Sequence, residues 1–337
     1  MTRRVTSFDV AARAGVSQSA VSRVFSGASA SKDTATKVRA AAQDLGYRPN
    51  VLARSLITGR SRIIGLVVAY LDNPFYPDAL ERFSRVLQSE GYHTLVFTLA
   101  ERASDEDVER VVQQMLDHQV DGLILASVGL SDALSTRSEA AGIPVVLFNR
   151  GQEGGRLTQV TSANRAGGRK VAEFLIAAGH THIGHVSGWQ GSSTGRDRTD
   201  GFREALADAG LSPVGIEDGR YTHDDASRAA DVLVDRGADA LFVGNDHMAF
   251  AVMDHLRFTR GLRIPQDISI IGYDDVSMAC WAGYNLTTVR QPVGRMVNAT
   301  VKALLRQVED SAAQAQATEI DGPLILRGSA RIPEGLQ

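Results

Sequence analysis

Residues 240–260 read ALFVGNDHMAFAVMDHLRFTR, and the order of residue types in this stretch decides the fold class. Four apolar residues come first, the polar pair Asn245-Asp246 follows a glycine, and a segment of helical length comes last. Because Asn and Asp are preferred at helix N-caps, the pair predicts a helix that begins directly after a buried strand. The strand has no polar alternation, so we expect helices to cover both faces of its sheet.

The same strand-then-helix pattern recurs along most of the chain. Further apolar, β-rich runs lie at 63–69, 93–99, 122–126, 145–148, 183–186 and 268–271. Segments of helical character accompany them at 74–90, 105–118, 164–178, 201–209 and 225–235. Two successive series of this kind predict an α/β unit of two doubly wound parallel-sheet lobes. A ligand crevice is expected near the carboxyl ends of the strands.

The first sixty residues have helical patterns and no strand pattern. A first helix at 8–14, capped by Thr6 or Ser7, ends at Gly15. Ser17 caps a second helix that runs to about residue 25, and a third helix runs from about 32 to 45. The segment 51–57 is a short helical stretch after a Pro-Asn pair. We therefore predict an N-terminal all-α unit joined to the α/β unit by a linker.

The composition is that of a globular protein, with 43% hydrophobic and 22% charged residues. The single cysteine, Cys280, allows no disulfide within the chain, which fits a reducing compartment. We find no long apolar segment and no signal-peptide pattern, so we expect a cytoplasmic protein without a membrane partner. Residues 1–62 carry eleven Lys and Arg against three Asp, although the whole chain has a net charge of −3. A basic N-terminal unit on an acidic body indicates contact with a polyanion.

The two N-terminal helices around Gly15 have the pattern of a helix-turn-helix. The second helix opens with Gln18 and Ser19, and Arg23 projects from the same side one turn later. Gln can form a bidentate hydrogen-bonded pair with adenine, and Arg can do so with guanine. An ordinary three-helix domain without DNA binding is the alternative.

Two segments carry a resemblance to a known family: VTSFDVAARAGVSQSAVSRVFSG at 5–27 and TKVRAAAQDLGYRPNVLARSL at 36–56. At this spacing they resemble the LacI/GalR family of bacterial repressors. The resemblance implies that four residues read the major groove, namely Ser17, Gln18, Ser19 and Arg23. It implies phosphate contacts by Thr6, Ser22 and Asn50. It also implies a hinge helix containing Ala53 and Leu56, in which Leu56 wedges into the minor groove; simple packing in a linker is the alternative for Leu56.

The resemblance continues through IIGLVVAYLDNPFY at 63–76, RTDGF at 198–202, IPQDISIIGYDD at 264–275 and LTTVRQP at 286–292. These segments are also similar to periplasmic sugar-binding proteins. The resemblance implies that an effector lies between the lobes, beside an aromatic wall of Phe75 and Tyr76. Its hydrogen-bonding residues would be Asn149, Arg198, Asn245 and Asp274, whose side chains suit a polyol. Each of these also has a purely structural alternative, and Trp281 either stacks on the ligand or packs.

The resemblance also sets the expected domain boundaries. We expect the helix-turn-helix unit at 1–49, a hinge helix and linker at 50–61, and the effector-binding and dimerisation unit at 62–337. Within the last, the N-lobe is expected at about 62–161 and 291–320, and the C-lobe at about 162–290 and 321–337. Ala163 stands where the family usually has Asp, which makes the identity of the ligand harder to infer.

Three other motifs suggest different chemistry: a hydrolase-like motif, a group of histidines and a glycine pair. Residues 191–195 match the G-x-S-x-G motif of α/β-hydrolases, but His247 and His255 fall inside a predicted helix and not at a strand end. We therefore expect no enzyme. The histidines at 180, 182 and 185 match no standard metal-ligand spacing and are expected in an exposed turn. The pair Gly167-Gly168 is expected to permit close helix packing, and no cofactor is expected.

The sequence thus predicts a homodimeric repressor that binds a near-palindromic operator in double-stranded DNA. A small-molecule effector, with a sugar as the preferred class, is expected to control DNA affinity from the α/β unit. The effector could be an inducer or a corepressor. A stand-alone sugar-binding protein for transport is the alternative from another functional class.

Overall fold

The computed structural model describes residues 5–26, 29–48, 60–99, 104–128, 142–152, 156–310 and 312–335. The chain divides into two compact units, Met1–Arg62 and Ile63–Gln337. The predicted hinge helix at 51–57 lies outside the described residues. None of the described helices is both long and apolar enough to cross a membrane.

The first unit has three described helices, as the sequence predicts. These are α1 (Ser7–Ala14), α2 (Gln18–Ser26) and α3 (Lys32–Asp44). Gly15 ends α1 with a left-handed backbone conformation at φ 67°, which glycine adopts without strain. The small core is formed by Val10, Val21 and Val38, one from each helix and all fully buried. The three helices therefore share one apolar centre and leave their polar faces outside.

The second unit contains two described sheets of six strands each. The first sheet has the order β11-β5-β4-β3-β1-β2, and the strand pairs in its described part are all parallel. Its strands and the helices between them are β1 (Ile63–Val68), α4 (Phe75–Ser89), β2 (His93–Thr98), α5 (Asp105–Asp117), β3 (Gly122–Ala126), β4 (Val145–Phe148), β5 (Thr158–Ser162) and β11 (Ala317–Ile320). The long helix α10 (Val293–Glu309) packs on this sheet.

The second sheet has the order β12-β10-β9-β8-β6-β7, parallel except for the short antiparallel pair of β10 and β12. It is built from α6 (Asn164–Ala177), β6 (Ile183–Ser187), α7 (Ser193–Asp208), β7 (Gly215–Asp218), α8 (His223–Asp235), β8 (Ala240–Val243), α9 (Asp246–Phe258), β9 (Ser269–Asp274), a 3₁₀ helix (Ser277–Cys280), β10 (Thr287–Arg290) and β12 (Leu324–Ile325). The chain passes between the two sheets three times, after β5, after β10 and after β11. Three connecting segments of the chain therefore join two lobes, each built around its own sheet.

The seven strands that the sequence predicts are all present. Five further strands were not predicted, and they are β5, β7, β10, β11 and β12. The residues of β5 read TQVTS and those of β7 read GIED, which are polar enough to lack an apolar run. β5 forms because it pairs with β4 on one side and with β11 on the other, and β7 forms because it pairs with β6 at the edge of the second sheet. The helix predicted at 201–209 begins eight residues earlier, at Ser193.

Candidate functional site

The N-terminal half of α2 presents a polar face. Ser17, Gln18, Ser19 and Arg23 are exposed, whereas Val21 is fully buried on the other side. The hydroxyl of Ser17 accepts a hydrogen bond from the amide of Ala20 at 3.2 Å and lies 2.9 Å from the hydroxyl of Ser19. The helix is thereby capped at the end from which these side chains project. A narrow row of hydrogen-bonding groups results, of a size that enters a DNA major groove.

Of the remaining residues assigned to DNA contact, the structure describes Thr6 and Ser22. Thr6 is exposed at the N-cap of α1, and both its amide and its hydroxyl donate to the carboxylate of Asp9, at 2.8 and 2.7 Å. Gln18 donates from Nε2 to the hydroxyl of Ser7 at 3.3 Å, which links α2 to the start of α1. Ser22 is half-buried. Asn50, Ala53 and Leu56 lie outside the described residues.

A cleft of about 860 Å³ lies between the carboxyl ends of the two sets of strands. We call it the interlobe cleft. The first sheet contributes loop residues 70–73, 98–99, 127 and 149–150, and the second sheet contributes residues 194, 198, 221–225, 228, 245, 247 and 274. This is the place where doubly wound sheets bind ligands, because strand ends and helix N-termini converge there.

Five non-glycine residues in this cleft have a left-handed backbone. They are Tyr70, Ser127, Asn149, Tyr221 and Asp274, with φ values of 61°, 61°, 58°, 62° and 131°. All of them lie at or shortly after the end of a strand. Such conformations cost roughly 1–3 kcal/mol each and persist where the surrounding structure enforces them, which is common at ligand sites. Five of the ten non-glycine residues with such a backbone in the described part of the chain therefore line the cleft.

Arg198 on α7 is the buried cation at the base of the cleft, with only 3% of its surface exposed. Its Nε donates to Oδ1 of Asn164 at 2.9 Å, and its Nη1 donates to the carbonyl of Gly244 at 2.6 Å. The guanidinium carbon lies 3.6 Å from the ring centroid of Tyr273. These contacts fix the planar group on three sides and leave Nη2, 3.9 Å from Oδ1 of Asp274, toward the cleft.

Asp274, at the end of β9, is the buried carboxylate opposite Arg198. It accepts a hydrogen bond from Nε2 of Gln291 at 2.6 Å and one from Nδ2 of Asn73 at 3.4 Å. Asn73 lies in the loop after β1, so this second contact joins the two lobes. Burial raises the pKa of Asp274, and the nearby Arg198 opposes that rise. A hydrogen-bond acceptor is thus held in the cleft by partners from both sheets.

A second carboxylate, Asp246, supports the base of the cleft without lining it. Its Oδ1 accepts from the hydroxyl of Thr288 at 2.6 Å, and its Oδ2 accepts from the amide of Val276 at 3.0 Å. Burial raises the pKa of Asp246, and the charge of Asp274 raises it further. Next to it, Asn245 caps α9 by accepting from the amide of Met248 at 2.9 Å. The Asn-Asp pair is therefore a helix cap and also places Asn245 in the cleft.

The first sheet contributes Asn149 and Tyr76 to the same cleft. Nδ2 of Asn149 donates to the hydroxyl of Tyr76 at 3.2 Å. Oδ1 of Asn149 is buried and has no hydrogen-bond partner within the described part of the chain. Burial raises the pKa of Tyr76, so its hydroxyl stays protonated and can donate. An unpaired buried acceptor is costly, and a ligand hydroxyl would satisfy it.

The structure brings Tyr76, Asn149, Arg198, Asn245 and Asp274 together around the interlobe cleft. Two other residues that the resemblance assigned to the effector lie elsewhere. Phe75 is 4% exposed and stacks on Phe148 in the core of the first lobe, so it does not line the cleft. Trp281 follows the 3₁₀ helix, is 56% exposed and also lies outside the cleft.

Three residues that shape the cleft were not singled out from the sequence. Asn164 orients Arg198, Gln291 holds Asp274, and Asn73 reaches Asp274 from the other lobe. Asn164 and Gln291 follow β5 and β10, two strands that the sequence did not predict, so their position at strand ends was not visible. Asn73 precedes a proline at the start of α4, a turn signal that could have marked it.

The hydrolase-like motif has a structural role here. Ser192 caps α7 by accepting from the amide of Gly195 at 3.1 Å, and Ser193 accepts from the amide of Gly151 at 2.8 Å. His247 and His255 lie within α9, as predicted from the sequence. Gly151 follows β4 of the first sheet, so the serine contact links the two lobes.

The prediction that three histidines lie in an exposed turn is wrong for two of them. His180 and His185 are buried, and only His182 is exposed. Nδ1 of His180 lies 3.1 Å from Oδ1 of Asp239, and its Nε2 lies 3.0 Å from the hydroxyl of Ser269. No group of metal-ligating side chains able to hold an ion occurs among the described residues.

The glycine pair at 167–168 has the predicted packing role. A Cβ at Gly168 would lie 2.1 Å from the carbonyl oxygen of Arg198, and a Cβ at Gly167 would lie 2.4 Å from the hydroxyl of Tyr273. Hydrogen in place of Cβ thus allows α6 to approach α7 and the ring of Tyr273 closely. Since Arg198 is on α7, this close packing also sets the depth of the cleft.

Two family models match the chain. One is described as bacterial regulatory proteins, lacI family, and covers residues 8–50; the other is a periplasmic binding protein-like domain and covers residues 172–330. The HTH-type transcriptional repressor PurR of Aliivibrio fischeri (strain MJ11) is 31% identical over 329 residues, which are 95% of this chain and 97% of that protein. The HTH-type transcriptional regulator CelR of Thermobifida fusca is 32% identical over 339 residues, which are 97% of this chain and 98% of that protein.

Solved structures give the same result. A lac repressor dimer bound to operator and the anti-inducer ONPF superposes with a TM-score of 0.87 at 27% identity, covering 97% of this chain and 99% of that one. A complex of the transcriptional regulator CelR with cellobiose superposes with a TM-score of 0.72 at 30% identity, covering 97% of this chain and 100% of that one. The similarity therefore extends over both units and not over one motif.

Proposed function

Because this chain belongs to the lacI family of bacterial regulatory proteins, we propose that it is a homodimeric repressor whose operator affinity is set by a sugar in the interlobe cleft. It is a DNA-binding transcriptional regulator under small-molecule control. The observation that supports the proposal best is the presence, in one chain, of an exposed polar face on α2 and a cleft in which Oδ1 of Asn149 is buried and has no partner among the described residues.

The DNA-reading part of the proposal assigns base contacts to Ser17, Gln18, Ser19 and Arg23. Their exposure on one face of α2 supports this role, since a recognition helix reads base edges with its N-terminal residues. Thr6, Ser22 and Asn50 contact phosphates, and Ala53 and Leu56 belong to a hinge helix that opens the centre of the operator. The helix-turn-helix unit spans 1–49 and the hinge and linker span 50–61. Two copies bind the two halves of a near-palindromic site.

The sensing part of the proposal assigns effector contacts to Tyr76, Asn149, Arg198, Asn245 and Asp274. These groups include both acceptors and donors, which suits the hydroxyl groups of a sugar. The CelR structure named above contains cellobiose, and this supports the same ligand class here. Phe75 and Trp281 are assigned no effector contact, because they lie outside the cleft. The effector unit spans 62–337, with lobes at 62–161 and 291–320 and at 162–290 and 321–337.

The two functions are coupled through closure of the lobes. A ligand that contacts Asn149 on one lobe and Arg198 on the other binds the closed arrangement more tightly, and a ligand shifts an equilibrium only by such a difference. The change reaches the hinge through the dimer and alters operator affinity. The chain acts at its operator in the cytoplasm, with the nucleoid, and we assign it no catalytic role, because His247 and His255 lie within α9 and not at a strand end.

The DNA-reading proposal is tested by substituting Arg23. The full chain is first used to select its preferred site from a random duplex library, and a palindromic site is expected. Arg23→Ala should then weaken binding to the selected site by about 10- to 100-fold, because a bidentate contact to a base is lost. Affinity for random duplex should change little. Fluorescence anisotropy measures both affinities.

Arg39→Ala is the matched control, because it removes the same charge from the exposed surface of α3 in the same unit. It should leave the ratio of specific to random binding unchanged. Equal losses of specificity in the two variants would show that α2 does not read the bases.

A further inference from the structure

The interlobe cleft is longer than one sugar ring. Four strand ends of the first sheet line it, and they belong to β4, β3, β1 and β2, which are neighbours in the sheet. With strands about 4.8 Å apart, the row from Asn149 to Thr98 spans roughly 14 Å. A six-membered ring of bonds of about 1.5 Å, with a hydroxyl on each side, is only roughly 6 Å across. The row is therefore long enough to contact a second sugar ring.

The two ends of this row differ in burial. The inner end holds Asn149, Arg198 and Asp274, which are 5%, 3% and 4% exposed. We call the outer end the exposed part of the cleft lined by Asp224 and Arg228, on the helix that follows the edge strand β7. Polar side chains continue from one end of the cleft to the other. A ligand held only at the inner end would leave the outer hydrogen-bonding groups in water.

An aromatic pair lies along the cleft and comes from both lobes. Tyr70 follows β1 and Tyr221 follows β7, and their ring centroids are 6.3 Å apart at an interplanar angle of 71°. Gly188 accommodates the second ring, since a Cβ there would lie 2.1 Å from Cζ of Tyr221. Aromatic rings in sugar sites pack against the C–H surfaces of the ligand. The strained backbone of both tyrosines shows that the fold holds them in place.

The outer end also has a cation, Arg228, whose side chain is 70% exposed. Arg228 pairs with Asp225, which in turn bonds the N-cap Thr222 through its amide at 3.2 Å and its carboxylate at 3.0 Å. This ion pair places Arg228 near the first turn of α8, one helical turn after Asp224. The guanidinium of Arg228 offers donors and the carboxylate of Asp224 offers acceptors. Together they match vicinal hydroxyl groups.

We propose that the effector is a saccharide of at least two rings, with one ring at the inner end on Asn149, Arg198 and Asp274 and the next at the outer end on Asp224 and Arg228. The inference rests on the proposed sugar effector and adds the length of the ligand to it. The tyrosine pair packs near the junction of the rings. Binding of the second ring brings α8 and the end of β2 onto the same ligand, so a longer ligand bridges the lobes at two places.

The test compares sugars of different length on the full chain. Calorimetric titrations use glucose against cellobiose and maltose, galactose against lactose, and xylose against xylobiose. At least one disaccharide should bind at least tenfold more tightly than its own monosaccharide. Arg228→Gln should lower the affinity for that disaccharide by about tenfold and leave the affinity for the monosaccharide within twofold. Asn149→Ala should weaken both.

Arg236→Gln is the matched control. Arg236 is at the other end of α8, outside the cleft, and also forms an ion pair, 2.7 Å from Oε1 of Glu217. It should change neither affinity. Monosaccharides that bind as tightly as every disaccharide, with no effect of Arg228→Gln, would overturn the two-ring inference and leave the sugar effector standing. No calorimetric binding of any of these sugars would contradict the sugar effector itself.

Discussion

Single buried side chains determine how the stability of this protein depends on pH. His185 in β6 is fully buried between Phe242 and Phe202, with Nδ1 2.9 Å from the carbonyl oxygen of Phe242 and Nε2 3.1 Å from the hydroxyl of Thr199. Burial lowers the pKa of His185 from 6.5 to about 4. The folded chain therefore keeps this imidazole neutral when the unfolded chain already protonates it.

The sign of the effect follows from proton linkage. Below pH 6.5 the unfolded chain binds a proton that folded His185 refuses, so stability falls as the pH drops from 6.5 to about 4. The loss reaches about 3 kcal/mol. Asp246 and Asp274 act in the opposite sense. Burial raises their pKa values, so the stability that they contribute in acid is lost as the pH rises.

His185→Gln should remove this acid-side loss. The amide keeps a donor and an acceptor, so the variant folds, although it is less stable at pH 7. The gap in unfolding free energy between the wild type and the variant should shrink as the pH falls from 7 to 4. Urea unfolding at several pH values measures that gap, and the carboxylates cancel because both proteins contain them. A gap that stays constant over this range would show that His185 does not titrate in the folded chain as described.

Most secondary-structure elements with an apolar pattern were predictable from the sequence, but helix α10 was not predicted, although Val297, Val301 and Leu304 form a buried apolar face on it. The seven apolar strands and the helix at 164–178 were predicted within a few residues, because burial on both faces forces continuous apolar runs. The first turns of α7 were missed, since STGRDRTDG is polar and contains glycine. These residues are helical because Ser192 caps them and α6 packs closely against them. Such tertiary contact is not encoded in local periodicity.

The residues of the cleft were likewise only partly predictable from the sequence. Asn149, Asn245 and Asp274 follow strands that were predicted, so the resemblance placed them at strand ends and the structure brings them together. Phe75 was assigned to the ligand by position, but its ring turns into the core beside Phe148. A side chain one residue from a ligand contact on a helix points about 100° away, and sequence position alone does not resolve that difference.

Helix α6 lies against α7 only because the contact contains glycines. A Cβ at Gly201 would lie 1.8 Å from the carbonyl oxygen of Arg165, which is backbone and cannot swing aside. Gly201→Ala should therefore separate the two helices, lower the unfolding free energy by about 1–3 kcal/mol, and weaken effector binding through movement of Arg198. Urea unfolding and calorimetry measure the two effects.

Gly283→Ala is the control, because a Cβ at Gly283 meets nothing within 4 Å and its backbone has no left-handed φ. It should leave both quantities unchanged. If Gly201→Ala proves as stable as Gly283→Ala, the close helix contact does not support the cleft.

The whole molecule combines a basic DNA-reading unit with an acidic sensing unit. Residues 1–62 carry eleven cationic side chains against three carboxylates, whereas the chain as a whole is negative. The acidic body is repelled by phosphates, so only the N-terminal unit is expected to approach the duplex. The effector and the operator therefore occupy different parts of the chain, and any influence of one on the other is a coupling free energy between two sites.

That coupling is the central claim, and the operator affinity of the full chain with and without a bound sugar tests it most directly. Fluorescence anisotropy of the selected palindromic duplex, with the tightest-binding saccharide absent and at saturation, should give affinities that differ by about 5- to 150-fold. The operator should change saccharide affinity by the same factor in calorimetry. A saccharide that binds the cleft at saturation and leaves the operator affinity unchanged would contradict the account.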